Sequence, residues 1–220
     1  MKNNKHYTYP ILYTFRRCPY AIRARMALSY SQISVELKEI LLNNRPSELY
    51  AVSSKGTVPV LCINDTDIID ESLEIMKWAV SQNDPNSWFS IAKKTQFDII
   101  EENDNEFKYW LDRYKYFDRF PDKTRDYYRS QCSVFLTKLN QLLDNNKYLL
   151  TNRLIFVDVA IVPFIRQCAN VDKYWFKDTY AKLENWLNNI IESKLFISVM
   201  DKYLEYTPKQ KPLITNFYKS

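Results

Sequence analysis

Two hundred and twenty residues suffice for one large domain or two small ones, and 46% hydrophobic with 26% charged residues is a globular composition, neither disordered nor fibrous. The net charge of +5 is spread along the chain between acidic runs such as EENDNE, which argues against nucleic acid as a partner. Leu154 to Ile165 is interrupted by Asp158 and too short to span a bilayer, and the N-terminal MKNNKHYTYP has no apolar signal core, so a cytoplasmic protein with no membrane association is expected.

From residue 11 short apolar runs alternate with helical stretches: ILYTF, PYAIRARMALSYS, SVELKEI, a polar segment to Ser54, VPVLCI, DIID and ESLEIMKWAV. This order predicts β-α-β-α-β-β-α. The opening βαβ demands parallel pairing of its strands, and the few residues between Ile63 and Ile68 allow only a hairpin, so the sheet is mixed. The polar NDPNSW after Gln82 breaks the pattern. Beyond it helices are expected over Ala92 to Tyr116, Asp122 to Leu143, Phe156 to Ala169, Tyr180 to Ile191 and Leu195 to Tyr203. The predicted organisation is an α/β region over 1–81, a linker over 82–90 and an all-helical bundle over 91–220.

Glycine occurs once, at Gly56, against a usual ~7%, which disfavours nucleotide sites built on glycine-rich phosphate loops. Cys18, Cys62, Cys132 and Cys168 form no CxxC pair, and the single histidine, His6, sits in a polar tail. Neither a metal site nor a disulfide framework is expected, and histidine-based nucleophile activation has no histidine to use. Cys18 stands where a strand gives way to a helix opened by Pro19. The helix dipole, its first amides and four arginines within eight positions (Arg16, Arg17, Arg23 and Arg25) favour a thiolate there, with a pKa below the ~8.5 of a free thiol. Lys55-Gly56-Thr57-Val58-Pro59 reads as a turn into a strand, where a cis Val58–Pro59 bond would present the Val58 amide and carbonyl outward. Asp70-Glu71-Ser72 precedes an apolar helix and reads as a cap or as a site for a carboxylate. Cys62, Cys132 and Cys168 fit core packing. Tyr109, Trp110 and Tyr114, with Tyr116, are candidates for a substrate site, although aromatic residues at this spacing more often form core.

These features together resemble the cytosolic glutathione transferases, and most closely their omega-like, cysteine-type bacterial branch. The strand, CPYA, Arg45-Pro46, the VP of Val58-Pro59 and the ES of Glu71-Ser72 occur in the family's order, and Arg45 precedes Val58 by the same 13 residues by which Val58 precedes Glu71. The resemblance implies a thioredoxin-like glutathione-binding domain followed by the family's helical domain, with glutathione as co-substrate. It assigns the catalytic thiol to Cys18, the glycyl carboxylate to Arg45, backbone pairing with the cysteinyl unit to Val58 before cis Pro59, and the γ-glutamyl end to Glu71 and Ser72. The helical region departs from the family around Asp158: three residues before it, where Ser or Thr is usual, stands Ile155, and a turn that normally contains glycine is Leu150-Thr151-Asn152. On capping grounds a serine at 155 would stabilise the chain by ~1 kcal/mol unless packing overrules it.

A lone cysteine implies a monothiol cycle, in which Cys18 takes glutathione from a disulfide or glutathionylated substrate and a second glutathione releases it. Dehydroascorbate-type reduction and weak conjugation of small electrophiles belong to the same implied repertoire. Tyr13, on the preceding strand, is the nearest candidate for a rival mechanism of the tyrosine- or serine-type transferases, in which a hydroxyl donor keeps the glutathione thiolate for conjugation. A non-catalytic transferase-like binding scaffold and a glutaredoxin-like reductase with a helical appendage are the other readings, and monomer and homodimer both stay open.

Overall fold

A computed structural model describes residues 7–218, so His6 lies outside the described residues. The chain divides at Asn86/Ser87, inside the expected linker, and again at Glu192/Ser193. The segments before the first point and after the second form one compact unit, and Ser87–Glu192 forms the other.

In the first unit β1 (Ile11–Thr14), α1 (Pro19–Tyr30), β2 (Val35–Glu39), α2 (Ser47–Val52), β3 (Val60–Cys62), β4 (Ile68–Ile69) and α3 (Ser72–Gln82) follow the predicted order. β1 runs parallel to β2, with Leu12 opposite Leu37, and antiparallel to β3, which forms a hairpin with β4. Successive β1 side chains face opposite sides and both sides are covered, so Leu12 and Tyr13 are both buried. Tyr13 joins Ile40, Leu49, Val58, Val60 and Cys62 in one cluster. α1 carries no continuous polar face, and Ala21 through Ser29 are all buried. Its alanines let it pack closely against α3.

The expected helix at 195–203 shortens to α10 (Lys194–Ser198), and the chain then returns to the sheet. Tyr206 N donates to Glu39 O at 2.7 Å, Leu37 N donates to Leu213 O at 2.8 Å, and β5 (Ile214–Thr215) pairs antiparallel with β2. The sheet order is β4-β3-β1-β2-β5. The tail from Ser193 therefore belongs with the sheet and not with a helical domain spanning 91–220. Without it β2 would be an edge strand with unpaired backbone groups, a need that no local pattern in residues 199–218 announces.

The second unit holds α4 (Lys93–Glu102), a π-helical turn over Asn103–Phe107, α5 (Lys108–Lys115), α6 (Arg125–Leu142), α7 (Phe156–Ala169), α8 (Lys173–Thr179) and α9 (Ala181–Ile191). The predicted helix at 92–116 is thus helical over Lys93–Lys115, with a π turn between its two α-helical parts. The short α8, capped by Asp172 Oδ1 accepting from Trp175 N at 3.0 Å, was not expected from its sequence. α7 is buried from Phe156 through Ile165. Asp158 accepts from Ile155 N (3.1 Å), Leu149 N (3.1 Å) and Trp186 Nε1 (2.8 Å).

These contacts correct the capping expectation at Ile155. The side chain is wholly buried. Of the two amides that a serine hydroxyl at this N-cap could reach, Val157 N and Asp158 N, the first already donates to Gln96 Oε1 from α4 at 2.8 Å. Packing therefore overrules capping. Ile155→Ser should destabilise the protein by roughly 1–3 kcal/mol, because losing a buried branched side chain costs more than one capping hydrogen bond returns. Urea unfolding will read this as a lower midpoint, and a raised midpoint would contradict it.

Candidate functional site

Cys18 is the N-cap of α1, in extended backbone geometry, with Pro19 at the first helical position. The loop leading to it is tied at each step. Cys18 N donates to Phe15 O at 3.0 Å, and Ile22 N donates to Cys18 O at 2.9 Å. Arg16 N donates to Glu39 Oε1 at 2.6 Å. The thiol is half-buried, and Sγ donates to Val58 O at 3.5 Å. Because Pro19 has no N–H, the first helical amides toward the thiol are those of Tyr20 and Ala21.

The arginines counted around Cys18 divide by role. Arg25 is buried; Nε donates to Val199 O (3.0 Å), Nη1 to Thr14 Oγ1 (2.6 Å) and Phe15 O (3.4 Å), and Nη2 to Arg16 O (2.8 Å). Burial pushes its guanidinium down to about 10, opposed by Glu39 and Cys18, so it stays protonated at neutral pH. Burial raises the Glu39 carboxyl above its usual range, opposed by the Arg16 amide and Arg25. Arg23, also buried, donates from Nε to Ser72 Oγ at 3.0 Å. Arg17 lies over the Phe15 ring.

Cys18, Arg45, Val58, Pro59, Glu71 and Ser72, far apart in sequence, line one cavity of about 440 Å³ in the first unit. The Val58–Pro59 peptide is cis. Gly56 has φ +58, and a Cβ there would meet Tyr50 Cε1 at 2.4 Å, so both backbone and space require glycine. Ser72 opens α3, with Glu71 as its N-cap. Tyr20, Leu42, Lys55 and Thr57, to which the sequence alone assigns no role, also line the cavity. Lys55 Nζ lies 2.6 Å from Glu71 Oε1 and 3.4 Å from Asp70 Oδ2, contacts that raise its pKa. Two acids one and two residues ahead of a helix, with a lysine beside the lone glycine, were the available signal.

The rival thiols and phenols are core groups. Tyr13 is buried, receives a hydrogen bond from Lys38 Nζ at 3.5 Å, and is pushed by burial above the ordinary phenol value. Burial raises Cys62 to about 11. Cys168 is raised well above the usual thiol value by its hydrogen bond with Cys132 and by burial. In the second unit Tyr114 is buried edge-on to Trp175 and pushed up to about 12 by burial, whereas Tyr109 is exposed and meets Trp110 edge to face. Among the described residues no cluster of three His, Cys, Asp or Glu side chains is placed to hold a metal, and no helix is long and apolar enough to cross a membrane.

Arg25→Gln is expected to lower stability by roughly 2–4 kcal/mol, since the carbonyls of Phe15, Arg16 and Val199 would be left buried with fewer donors. An unchanged urea midpoint would show that the clamp carries little.

Residues 12–87 match the family model of the glutathione S-transferase N-terminal domain, and residues 97–194 that of the C-terminal domain. A probable glutathione transferase of Aplysia californica is 39% identical over 49 residues, which are 22% of this chain and 53% of that protein, so the match spans about half the relative's length. Among solved structures, a glutathione transferase family member from Pseudomonas fluorescens with two glutathione bound has a TM-score of 0.73 at 14% identity, over 87% of this chain and 92% of that one. The glutathione transferase URE2P6 from Phanerochaete chrysosporium, in complex with oxidised glutathione, gives 0.74 at 16% identity over 86% and 94%. Poplar glutathione transferase F1 gives 0.74 at 16% over 88% and 97%. At these identities the structural likeness speaks for the fold.

Proposed function

The chain belongs to the glutathione S-transferase family, and on that premise we propose that it is a glutathione-dependent thiol transferase of omega-like type with Cys18 as the nucleophile. The observation that carries this reading is a half-buried thiol at a helix N-terminus, in one cavity with Arg45, Val58, Glu71 and Ser72. That wall suits a tripeptide with two carboxylates and one ammonium. Arg45 receives the glycyl carboxylate, the Val58 backbone pairs with the cysteinyl unit, Glu71 takes the γ-glutamyl ammonium and Ser72 the γ-glutamyl carboxylate. Solved relatives that hold glutathione or oxidised glutathione support the choice of ligand.

Two exchanges make up the cycle. The Cys18 thiolate attacks the glutathionyl sulfur of a mixed disulfide, the old S–S bond breaks, and the substrate leaves as a thiolate that takes up a proton. A second glutathione thiolate then attacks the glutathionyl sulfur held on Cys18. Oxidised glutathione leaves and the Cys18 thiolate is restored. The hydrogen bond from Sγ to Val58 O couples ionisation to binding, since a thiolate no longer donates and the carbonyl becomes available to the cysteinyl N–H of glutathione. Cys18 at the start of α1, with Arg25 behind its loop, favours this cycle over a passive scaffold, and the buried Tyr13 disfavours a phenol-based conjugation mechanism.

Iodoacetamide at pH 6 should label Cys18 ahead of Cys62, Cys132 and Cys168, because a helix N-terminus favours the thiolate and burial disfavours it. Incubation with oxidised glutathione should add ~305 Da, the mass of one glutathionyl group, at Cys18. Cys18→Ala should abolish thiol transfer with the fold retained. An alanine variant that reduces mixed disulfides as fast as the parent would move the nucleophile elsewhere.

Glu71→Gln and Ser72→Ala should each weaken glutathione binding by about 1–3 kcal/mol, with the alkylation rate of Cys18 little changed. Unaltered calorimetric affinity in both variants would refute their placement at the γ-glutamyl end.

A further inference from the structure

Ser72 does not meet the cavity as an ordinary serine. Its hydroxyl oxygen accepts from Arg23 Nε at 3.0 Å, and both side chains are buried. The Arg23 guanidinium also stacks over the ring of Tyr20, 5.2 Å from its centroid, and Tyr20 lines the same cavity. We infer that Arg23 is a positioning residue that makes Ser72 a one-way donor and so fixes the orientation in which the γ-glutamyl zwitterion is received. This rests on the glutathione reading above.

The argument is a matter of donors and acceptors. A hydroxyl has one proton to give and lone pairs with which to accept. Guanidinium has only protons, so it can occupy a Ser72 lone pair but can never take the Ser72 proton. The proton must therefore find its acceptor elsewhere, and a positive charge behind the oxygen makes it a better donor. At the start of α3 the helix dipole favours negative charge as well, so this end of the cavity suits a carboxylate and repels an ammonium. One residue away the preference reverses. The Glu71 and Asp70 carboxylates offer only acceptors, and they already hold the Lys55 ammonium. A ligand carrying an ammonium and a carboxylate on one carbon satisfies both with the carboxylate on Ser72 and the ammonium on Glu71, whose carboxylate it then shares with Lys55.

Calorimetry with three reduced thiols under a phosphine reductant tests this: glutathione, glutaryl-cysteinylglycine, which lacks the ammonium, and 4-aminobutyryl-cysteinylglycine, which lacks the γ-glutamyl carboxylate. Arg23→Gln should weaken glutathione and the glutaryl analogue about tenfold while changing the 4-aminobutyryl analogue less than about twofold. In the Ser72→Ala background the same substitution should cost nothing further. Glu71→Gln should give the mirror pattern, sparing the glutaryl analogue. Arg23→Lys, which keeps a charged donor, should recover part of the loss, and its ligand pattern decides the matter if Arg23→Gln does not fold. Equal losses for all three thiols, or a full additional loss on top of Ser72→Ala, would reduce Arg23 to a structural residue and overturn the inference. Failure of the parent protein to bind glutathione would be a different result, overturning the functional reading and this inference with it.

Discussion

A single buried guanidinium, that of Arg25, holds together the parts on which the site depends. It reaches the last residue of β1, the two loop carbonyls that follow, and the carbonyl of Val199 beyond α10. Burying a charge is costly unless its hydrogen bonds are met, and here backbone and hydroxyl oxygens meet them while Glu39 supplies opposite charge nearby. Such an arrangement tolerates little movement. The loop that ends at Cys18 is therefore set by a residue inside α1 and by a chain segment more than 170 residues away.

That constraint explains why the C-terminal tail belongs to the sheet. Val199 binds Arg25, Tyr206 and Leu213 pair with the backbone of β2, and β5 covers the edge that β2 would otherwise expose. The tail also reaches the thiol loop through the end of β2, because Tyr206 N donates to Glu39 O while the Glu39 carboxylate accepts the Arg16 amide. On the far side of β1, β3 begins just after the cis Val58–Pro59 peptide, and the Val58 carbonyl meets the thiol. The Cys18 thiol and the Val58 backbone are thus brought together by strands adjacent in the sheet, with β1 leading to one and β3 following the other.

The helical unit uses the same economy of buried polar groups. Asp158 takes three N–H donors at the start of α7, and Gln96 supplies the acceptor that an N-cap hydroxyl would have supplied. Isoleucine at 155 can then serve the core. A motif that departs from its family at one position is thereby restored by a residue from a different helix.

Much of this was legible in the chain. Alternating apolar runs announced βαβαββα, because strand and helix periodicity are local properties of sequence. Cys18 before Pro19, the lone Gly56 and Glu71-Ser72 before a helix marked stretches of the cavity wall, because turn and cap chemistry is local too, whereas Arg45 entered only through the resemblance to the family. What the sequence did not disclose are pairings between distant segments: Arg23 with Ser72, Gln96 with Val157, Lys55 with Glu71, and the two-residue strand at 214–215. None leaves a periodic or spacing signal, since a side chain that serves a group 49 or 61 residues away is chosen by where the folded backbone puts that group. The sequence by itself determined the elements and the chemistry available at their ends. Tertiary structure decided which buried donor meets which acceptor, because an unmet hydrogen bond is costly only once folding has removed the water that would otherwise satisfy it.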